Sequence, residues 1–372
     1  MIRLFDETVR AILAGEHVKG AEYGPPAGIS LGLRTGDCEF ISHGGTRDTH
    51  GSPLTASTIF DVASVTKILG TTTALLRLIS DGALHLNDPL SRFIPALGAG
   101  EKAIITVEDA LQHRGGFWPW QPLYLTAQDR PKALDYAAQV PLKFAPGRTR
   151  VYSDLGFMFL GAIVSQVTAL PLRAAISELV TDPMKLTETG YGPVASDNVA
   201  TSALGDWAEI RMVETGNPYP ILTKERSFSN WRTDAISGEV NDGNAFHALD
   251  GISGHAGMFS TLSDLLTYGQ ALTEAAEVGI SAQMLDRFLT PGPDSGQVLG
   301  FRTYPIEIAG KSHTLYGHPG FTGCAVGFIP QKRISIALVS NRLVTEKLPT
   351  PTEQLWDLAL TTVSDAFKDD AK

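Results

Sequence analysis

The stretch IFDVASVTKILGTTTALLRLISDG, residues 59–82, places a lysine, Lys67, three residues after a serine, Ser64. Its pattern predicts the end of a strand at Ile59–Phe60, a short turn, and then an apolar helix that stops at Gly82. Because positions i and i+3 lie on one face of a helix, the two side chains should point the same way. The stretch therefore predicts a serine and a lysine side by side at a helix start.

A serine and a lysine in this arrangement can carry out acyl transfer. A serine hydroxyl attacks a carbonyl carbon well only when a neighbour removes its proton, and a lysine can do this if burial depresses its pKa. The backbone N–H of Ser64, at a helix start, is also a free donor for a developing oxyanion. A Ser-x-x-Lys tetrad alone is expected by chance about once in such a chain, so other segments must support it.

The composition is that of a globular protein. The chain has 372 residues, 43% hydrophobic and 19% charged, which suits one large domain or two lobes. A formal net charge of −10 argues against nucleic acid or an anionic membrane surface as the main partner. No apolar run is long enough to span a bilayer, so no membrane span is predicted.

The N-terminus and the cysteines bear on the cellular compartment. Residues 1–18, MIRLFDETVRAILAGEHV, predict an amphipathic helix without the charged, apolar and cleavage regions of a secretory signal. This predicts a cytoplasmic protein in which Cys38 and Cys324 are reduced. Both cysteines lie in strand-like runs, so we expect both to pack in the core.

Strand patterns lie near the two chain ends, and helix patterns lie mostly between them. Residues 27–45 predict two strands around a turn at Thr35–Asp37, and two more strands are expected at 323–330 and 334–341. Helices are expected at residues 1–18, 64–82, 106–113 with a Thr106/Asp109 capping box, 131–139, 153–168, 260–276 and 352–368. We predict an α+β fold, with an antiparallel sheet from both chain ends flanked by helices and an inserted helical lobe.

Two further stretches bear on the serine and lysine. Tyr152, in PGRTRVYSDLGF, stands just before a helix, where its phenol could face a cleft and carry protons; the alternative is a core tyrosine. His318 and Gly320, in YGHPGFTGCAVGFIP, stand at a predicted strand, where glycine allows a ligand to approach the backbone. A hairpin turn with a surface histidine is the alternative there.

The order Ser-x-x-Lys, Tyr-Ser-Asp and His-Pro-Gly resembles that of the class C β-lactamase-related serine hydrolases. This branch of the penicillin-recognising enzymes includes class C β-lactamases, D-alanyl-D-alanine carboxypeptidases and β-lactamase-fold esterases. The resemblance covers most of residues 25–345, with family-like segments in family order: TIFDVASVTK, DGALHLNDPLSRFIP, ITVEDALQHRGGF, FAPGRTRVYSDLGFMFLGAIV, DPMKLTETGY, GISGHAGMFSTLSDL and GHPGFTGCAVGFIP. It implies one β-lactamase-like catalytic domain over residues 1–372, with an α/β lobe near 1–62 and 250–372 and a helical lobe with cleft-rimming loops near 63–249.

The resemblance also implies roles for single residues. Ser64 would be the acylated nucleophile, Lys67 its base partner, and Tyr152 a second proton carrier. The backbone N–H groups of Ser64 and Phe321 would form the oxyanion hole. His318, beside Gly320, would line the cleft and bind substrate. No cofactor is implied.

The sequence departs from the family pattern at two places in the cleft. Asp154 stands where β-lactamases carry an asparagine, and its charge should raise the pKa of Lys67. The charged Lys67 would then hold Tyr152 as a phenolate. His318 and Pro319 replace a lysine and a threonine that grip a substrate carboxylate, although a protonated His318 could partly serve. Both changes argue against good β-lactam turnover. The missing export signal argues against a cell-wall carboxypeptidase.

Two other groups are candidates for the cleft. The segment 238–257 gathers Asp242, Asn244, His247 and His255, with spacing that matches no common metal site. We therefore predict no metal, and a cleft-rimming loop in which His255 contacts substrate or is a structural histidine. Trp118, with Trp120 and Tyr124, could form an apolar acyl-binding wall or simply cover the helical lobe.

These observations favour a serine hydrolase of the esterase or amidase type, acting on a small acyl substrate. The alternatives are a D-alanyl-D-alanine carboxypeptidase or weak β-lactamase, and a non-catalytic sensor that binds an acyl or peptide ligand. The sequence gives no prediction of the oligomeric state.

Overall fold

The computed structural model describes residues 1–16, 20 and 22–368. Its α-helices are α1 (Ile2–Leu13), α2 (Thr73–Ser80), α3 (Val107–Leu111), α4 (Arg130–Gln139), α5 (Asp154–Thr168), α6 (Leu172–Ile176), α7 (Trp207–Thr215), α8 (Gly243–Ala248), α9 (Leu262–Thr273), α10 (Ala282–Leu289) and α11 (Thr352–Ala366). Its strands are β1 (Tyr23–Gly24), β2 (Gly28–Thr35), β3 (Cys38–Gly45), β4 (Phe60–Asp61), β5 (Gly190–Tyr191), β6 (Thr201–Ala203), β7 (Ile236–Ser237), β8 (Met258–Ser260), β9 (Arg302–Ile308), β10 (Lys311–Pro319), β11 (Ala325–Ile329), β12 (Ile334–Ser340) and β13 (Leu348–Pro349). The predicted first helix ends at Leu13, and its residues 17–18 lie outside the described residues.

The main sheet is antiparallel and has the strand order β3-β2-β12-β11-β10-β9. The Thr35↔Cys38 pair closes the first hairpin, and the Leu31↔Leu338 pair joins the N-terminal strands to the C-terminal ones. The sheet is thus built from both chain ends, and the predicted α+β class is confirmed. A smaller antiparallel sheet has the order β4-β8-β5 and lies at the start of the serine-bearing segment.

The two faces of the main sheet pack against different helices. Alternate residues of β2, Ile29, Leu31 and Leu33, are buried with side chains of α1 and α11. Gly32, between them, faces α9, and a Cβ there would lie 2.8 Å from Leu266. The period of two along the strand therefore separates an outer helical layer from the inner layer that joins the helical lobe. The predicted lobe boundaries near 62 and 250 stay a prediction.

The helix predicted after the serine is present but irregular. A 3-10 turn at Ala63–Val65 and a π-helical turn at Lys67–Thr72 lead into α2. The carbonyl oxygen of Ile68 accepts hydrogen bonds from the hydroxyls of Thr73 at 2.7 Å and Tyr268 at 3.0 Å. These side-chain donors stabilise the widened turn, a feature that occurs frequently at functional sites.

Capping residues begin two of the predicted helices. The Asp109 N–H donates to Thr106 Oγ1 at 3.1 Å and the Thr106 N–H to Asp109 Oδ2 at 3.0 Å, which confirms the capping box of α3. Ser153 caps α5 by accepting a backbone N–H of the first turn at 3.3 Å.

The prediction that both cysteines pack in the core is confirmed for Cys324, which is buried. It is wrong for Cys38, which is exposed beside its hairpin turn.

No single helix in the described part of the chain has the length and apolar composition needed to cross a membrane. One pair, Asp154–Thr168 with Leu172–Thr181, meets the criteria together but is bent by 81°. The first member is α5, and most of its residues are buried in the main core.

Close packing against α5 positions the segment that follows Ile252. A Cβ atom at Gly254 would overlap the carbonyl oxygen of Phe157 and would lie 2.7 Å from the backbone nitrogen of Gly161. The carbonyl oxygen of Gly254 accepts the Thr71 hydroxyl at 2.7 Å. Gly254 therefore holds residues 253–257 between α5 and the π-helical turn.

Gly254→Ala should destabilise the protein by about 1–3 kcal/mol, the usual cost of overpacking a dense interior. The matched control is Gly190→Ala, because no atom lies within 4 Å of a Cβ built there. Urea denaturation of both variants measures the difference. Equal free energies of unfolding for the two variants would show that the contact with α5 is not tight.

Candidate active site

Lys67 connects the residues of the predicted catalytic group. Its Nζ donates to Ser64 Oγ at 2.8 Å and to the carbonyl oxygen of His255 at 3.3 Å. It also forms an ion pair with Oδ1 of Asp154 at 2.7 Å. Lys67 is 0% exposed. Acceptors from three chain segments therefore surround the ammonium group.

Tyr152 is held beside this ammonium by His113. The backbone N–H groups of the residues before and after Tyr152 donate to the His113 carbonyl oxygen at 2.8 Å and to its Nδ1 at 3.1 Å. The Tyr152 ring centroid lies 4.6 Å from that of His113 and 4.9 Å from Lys67 Nζ. The Tyr152 hydroxyl interacts with both Ser64 and Lys67. The three residues that the sequence proposed as catalytic thus meet at one point.

Burial and charge set the protonation of this group. Burial acts to lower the pKa of Lys67, but Asp154 and Tyr152 outweigh it, and the pKa is raised. Burial also raises the pKa of Tyr152, and Lys67 opposes this only in part. Lys67 is therefore an ammonium and Tyr152 a neutral phenol at neutral pH. The prediction that Tyr152 is a phenolate is therefore wrong, because burying the phenolate costs more free energy than its attraction to the Lys67 ammonium provides.

His318 is a neutral hydrogen-bond acceptor. Its Nδ1 donates to the carbonyl oxygen of Pro319 at 2.7 Å, and its ring stacks on Tyr152 at 5.7 Å. Burial, followed by the charges of Arg302 and Lys67, lowers the pKa of His318 well below its usual value. Its Nε2 has no partner among the described residues. The prediction that a protonated His318 could partly bind a substrate carboxylate is therefore wrong, because burial and the charges of Arg302 and Lys67 disfavour the charged imidazole.

Gly320 and Phe321 lie in a tight turn between β10 and β11. The Gly320 N–H donates to the carbonyl oxygen of Cys324 at 2.6 Å. A Cβ atom at Gly320 would overlap the carbonyl oxygen of Val62, two residues before Ser64. The glycine therefore allows the turn to pack on the serine-bearing segment, and close approach of a ligand at Gly320 stays a prediction. The turn holds the Phe321 backbone next to that segment.

His255 lies behind Lys67. Its ring is 1% exposed, with Nδ1 bonded to Ser253 Oγ at 2.7 Å and Nε2 to Asp242 Oδ1 at 3.0 Å. Direct substrate contact by this ring is therefore wrong, and the structural alternative holds. Ligand atoms of Asp154, Asp242 and His255 lie within 4.8 Å of one another, a spacing that could hold a metal ion. Lys67 already contacts two of these residues, and the absence of a metal stays a prediction.

The aromatic residues predicted as an acyl-binding wall have structural contacts. Trp118 donates its indole N–H to Pro141 at 3.0 Å, in the segment after α4. Tyr124 is fully buried and donates its hydroxyl to Glu209 at 2.6 Å. Trp120 is also buried. These contacts favour the alternative that the three rings cover the helical lobe, and the substrate-binding role of Trp118 stays a prediction.

Sequence reasoning missed three residues near the catalytic group. Tyr219, from the loop after α7, is half-buried, and its pKa is raised by burial and then by Asp154 and Tyr152. The guanidinium carbon of Arg302 lies 5.3 Å from the Tyr152 ring centroid, and burial together with Arg302 lowers the pKa of Arg150. Tyr219 and Arg302 are distant in sequence and carried no signal, whereas Arg150 lies two residues before Tyr152.

A family model described as Beta-lactamase matches residues 9–361. This chain belongs to the β-lactamase family. A protein of Escherichia coli K12 described as a putative D-alanyl-D-alanine carboxypeptidase is 30% identical over 317 residues, which cover 77% of this chain and 70% of that protein. An N-acetylmuramyl-L-alanine amidase of Bacillus subtilis is 31% identical over 314 residues, 77% of this chain and 68% of that protein. The resemblance drawn from the sequence is confirmed.

Solved structures confirm the β-lactamase fold. The D-amino acid amidase of Ochrobactrum anthropi SV3 aligns with a TM-score of 0.71 and 19% identity, over 98% of this chain and 99% of that one. A class C β-lactamase of Rhodobacter sphaeroides aligns with a TM-score of 0.69 and 17% identity, over 96% and 98% of the two chains. At these identities the likeness concerns the fold.

Behind the catalytic group, this β-lactamase-family protein buries a protonated acid, Glu209 of α7. Glu209 accepts the Tyr124 hydroxyl at 2.6 Å and the Gly243 N–H at 3.1 Å. Burial, with the nearby Asp242 charge, raises the pKa of Glu209 to about 8. Burial acts to raise the pKa of Asp242 also, but His255 and hydrogen bonds lower it to about 2. Burial and the Asp242 charge therefore favour the protonated form of Glu209, whereas His255 favours the ionised form of Asp242.

The protein should lose stability as the pH rises, through Glu209. Its pKa in the unfolded chain is about 4.3, so its stabilising contribution is complete below that pH and is lost as pH rises through the folded value of about 8. Glu209→Gln keeps a neutral group and should flatten this loss. Urea denaturation between about pH 5 and pH 9 measures it, with Glu214→Gln on the exposed side of α7 as control. Parallel pH profiles for the wild type and Glu209→Gln would contradict the assignment.

Proposed function

We propose that this protein is a serine hydrolase that forms an acyl-enzyme on Ser64 and acts on small ester or amide substrates. The contact of Ser64 Oγ with Lys67 Nζ at 2.8 Å, beside the Tyr152 hydroxyl, supports this most strongly. Relatives and structural neighbours described as carboxypeptidase, amidase and β-lactamase support the coarser statement that it is a hydrolase. The chemistry requires no cofactor.

The protonation states suggest how acylation proceeds. Ser64 Oγ forms a bond to the substrate carbonyl carbon while the Tyr152 phenol accepts the Ser64 proton and passes its own proton to the leaving group. The ammonium of Lys67 stabilises the negative charge that develops on the two oxygens, and the backbone N–H groups of Ser64 and Phe321 stabilise the oxyanion. In deacylation, water attacks the acyl carbon, and Tyr152 returns a proton to Ser64 Oγ as it accepts one from the water.

Two features of the cleft favour substrates without a carboxylate near the scissile bond. Neutral His318 and Pro319 stand where the family places a lysine and a threonine, so neither offers a charge-assisted donor. Asp154, whose side chain is 17% exposed, adds negative charge beside Lys67. A neutral ester or amide loses nothing from either feature.

A second candidate is a D-alanyl-D-alanine carboxypeptidase. The name of the Escherichia coli relative favours it, and so does the cationic Arg302, 5.3 Å from the Tyr152 ring, with Arg150 close by. In that case Arg302→Gln would weaken hydrolysis of D-alanyl-D-alanine peptides much more than hydrolysis of neutral esters. An equal loss for both substrates would favour the ester and amide function.

Ser64→Ala should abolish hydrolysis of every ester and amide, and every covalent adduct, while leaving the fold intact. Intact-mass analysis after treatment with a fluorophosphonate, a penicillin and an activated ester measures this. Labelling of another serine in the variant would overturn the assignment. A wild-type protein that traps a stable acyl adduct without turnover would instead support a non-catalytic acyl or peptide sensor.

Activated short-chain esters should be hydrolysed far faster than penicillins or cephalosporins. Hydrogen bonds to charged groups contribute about 1.5–3 kcal/mol each, so losing two carboxylate partners lowers kcat/KM by about 10²–10⁴-fold. The double substitution His318→Lys with Pro319→Thr should improve β-lactam acylation without improving ester cleavage. Wild-type hydrolysis of nitrocefin as efficient as that of p-nitrophenyl acetate would refute this account.

A further inference from the structure

Asp61 is a buried carboxylate that contacts both segments of the proposed oxyanion hole. It ends β4, three residues before Ser64, and is 2% exposed. Its Oδ1 accepts the Ala63 N–H at 2.7 Å and its Oδ2 accepts the Asn241 N–H at 2.6 Å. Each carboxylate oxygen thus fixes the backbone of a different chain segment.

The contact with Ala63 stabilises an unfavourable backbone conformation. Ala63 has φ 45°, in the left-handed region that residues with a Cβ rarely adopt. Such a residue costs on the order of 1–3 kcal/mol and persists only where its surroundings hold it. Because Ala63 directly precedes Ser64, its conformation sets the direction of the Ser64 N–H at the start of the 3-10 turn. The Asp61 carboxylate is the side chain that holds it.

The carbonyl group of Asp61 fixes the other segment. Its oxygen accepts the Thr322 hydroxyl at 2.7 Å and lies 3.5 Å from Cys324 Sγ. Thr322 follows Phe321, so this bond attaches the turn that carries the Phe321 N–H. Gly320 packs against Val62 in the same place. One residue therefore bonds to the neighbours of both proposed donors.

We propose that Asp61 is a positioning residue that holds the Ser64 and Phe321 backbone N–H groups in register as an oxyanion hole. The inference rests on the proposed function, since it assigns a role within the same site. Asp61 touches neither substrate nor the reacting atoms. Its effect should therefore appear in kcat more than in KM, because an oxyanion forms only in the transition state.

The ionisation of Asp61 adds a pH dependence. Burial raises its pKa to about 6, with the Asn241 and Ala63 N–H groups opposing. The charged groups that face it are Asp242, with its pKa lowered to about 2, and the Arg232 guanidinium, while burial raises the pKa of the Cys324 thiol to about 12. Of the three shifted pKa values, only that of Asp61 lies near 6. A proton on Asp61 removes charge from an acceptor of two N–H groups, so kcat should fall as the pH falls through about 6.

The test compares Asp61→Asn and Thr322→Val with Asp264→Asn. Asp264 is also buried and accepts the Glu188 N–H at 2.8 Å and the Thr189 hydroxyl at 2.8 Å, so it controls for loss of a bridging carboxylate. The substrate is p-nitrophenyl acetate, and urea denaturation reports folding. Asp61→Asn should lower kcat about 10–10²-fold, which is less than the roughly 10²–10³-fold cost of removing an oxyanion-hole donor outright. KM should change little. The fall in kcat below about pH 6, the acid limb of the pH profile, should disappear. Thr322→Val should also lower kcat, but its pH profile should keep the acid limb because Asp61 is still present.

Three outcomes distinguish the role of Asp61 from the proposed hydrolase function. A wild type labelled by fluorophosphonate at Ser64, with Asp61→Asn unchanged in kcat and acid limb, overturns the role of Asp61 and leaves the hydrolase in place. A wild type that is not labelled and does not turn over esters refutes the proposed function itself. If Asp61→Asn does not fold, Thr322→Val decides: a kcat equal to that of the wild type overturns the proposal.

Discussion

The enclosure of the Lys67 ammonium is the constraint on which the rest of the site depends. Lys67 is 0% exposed, and burying an unpaired ammonium costs several kcal/mol even after relaxation. The fold offsets this with Ser64 Oγ, Asp154 Oδ1 and the carbonyl oxygen of His255. These acceptors come from the turn before α2, the start of α5, and the segment after Ile252. The arrangement of three chain segments is thus tied to one buried charge.

A second layer of polar contacts supports that arrangement. Asp242 bonds to His255 at 3.0 Å and caps α8 by accepting the Ala245 N–H at 2.8 Å. The next residue towards the N-terminus, Asn241, donates to Asp61. The loop-rich segment before β8 therefore contacts both Lys67, through the His255 carbonyl, and the serine-bearing turn, through Asp61. These contacts fix the catalytic group, and the prediction that the segment also rims the cleft stays a prediction.

The predictions that the structure confirmed depended on the local spacing of residues in the sequence. Ser64 and Lys67 are three residues apart on one turn, so their contact follows from helical geometry whatever surrounds them. The strand and helix periods near the chain ends predicted the sheet, and their order predicted the inserted lobe. Tyr152 lay before a capped helix, and the family-like motif order brought it to the same site. For Trp118 and His255 the residue type left two roles open, because the partners of each side chain lie in other segments of the chain.

By itself, the sequence determined the α+β class and the family, and it predicted Ser64, Lys67 and Tyr152 as catalytic candidates, because these depend on periodicity and on short motifs. Only the tertiary structure decided which side chains are protonated and how the backbone N–H groups of the site are held. Tyr152 is a phenol and His318 a neutral acceptor because burial, and cations such as Arg302, act on them from other strands and helices. The role of Asp61 likewise depends on Asn241 and Thr322, which no local pattern connects to it. Desolvation and electrostatic fields depend on distances in space, which a one-dimensional pattern does not contain.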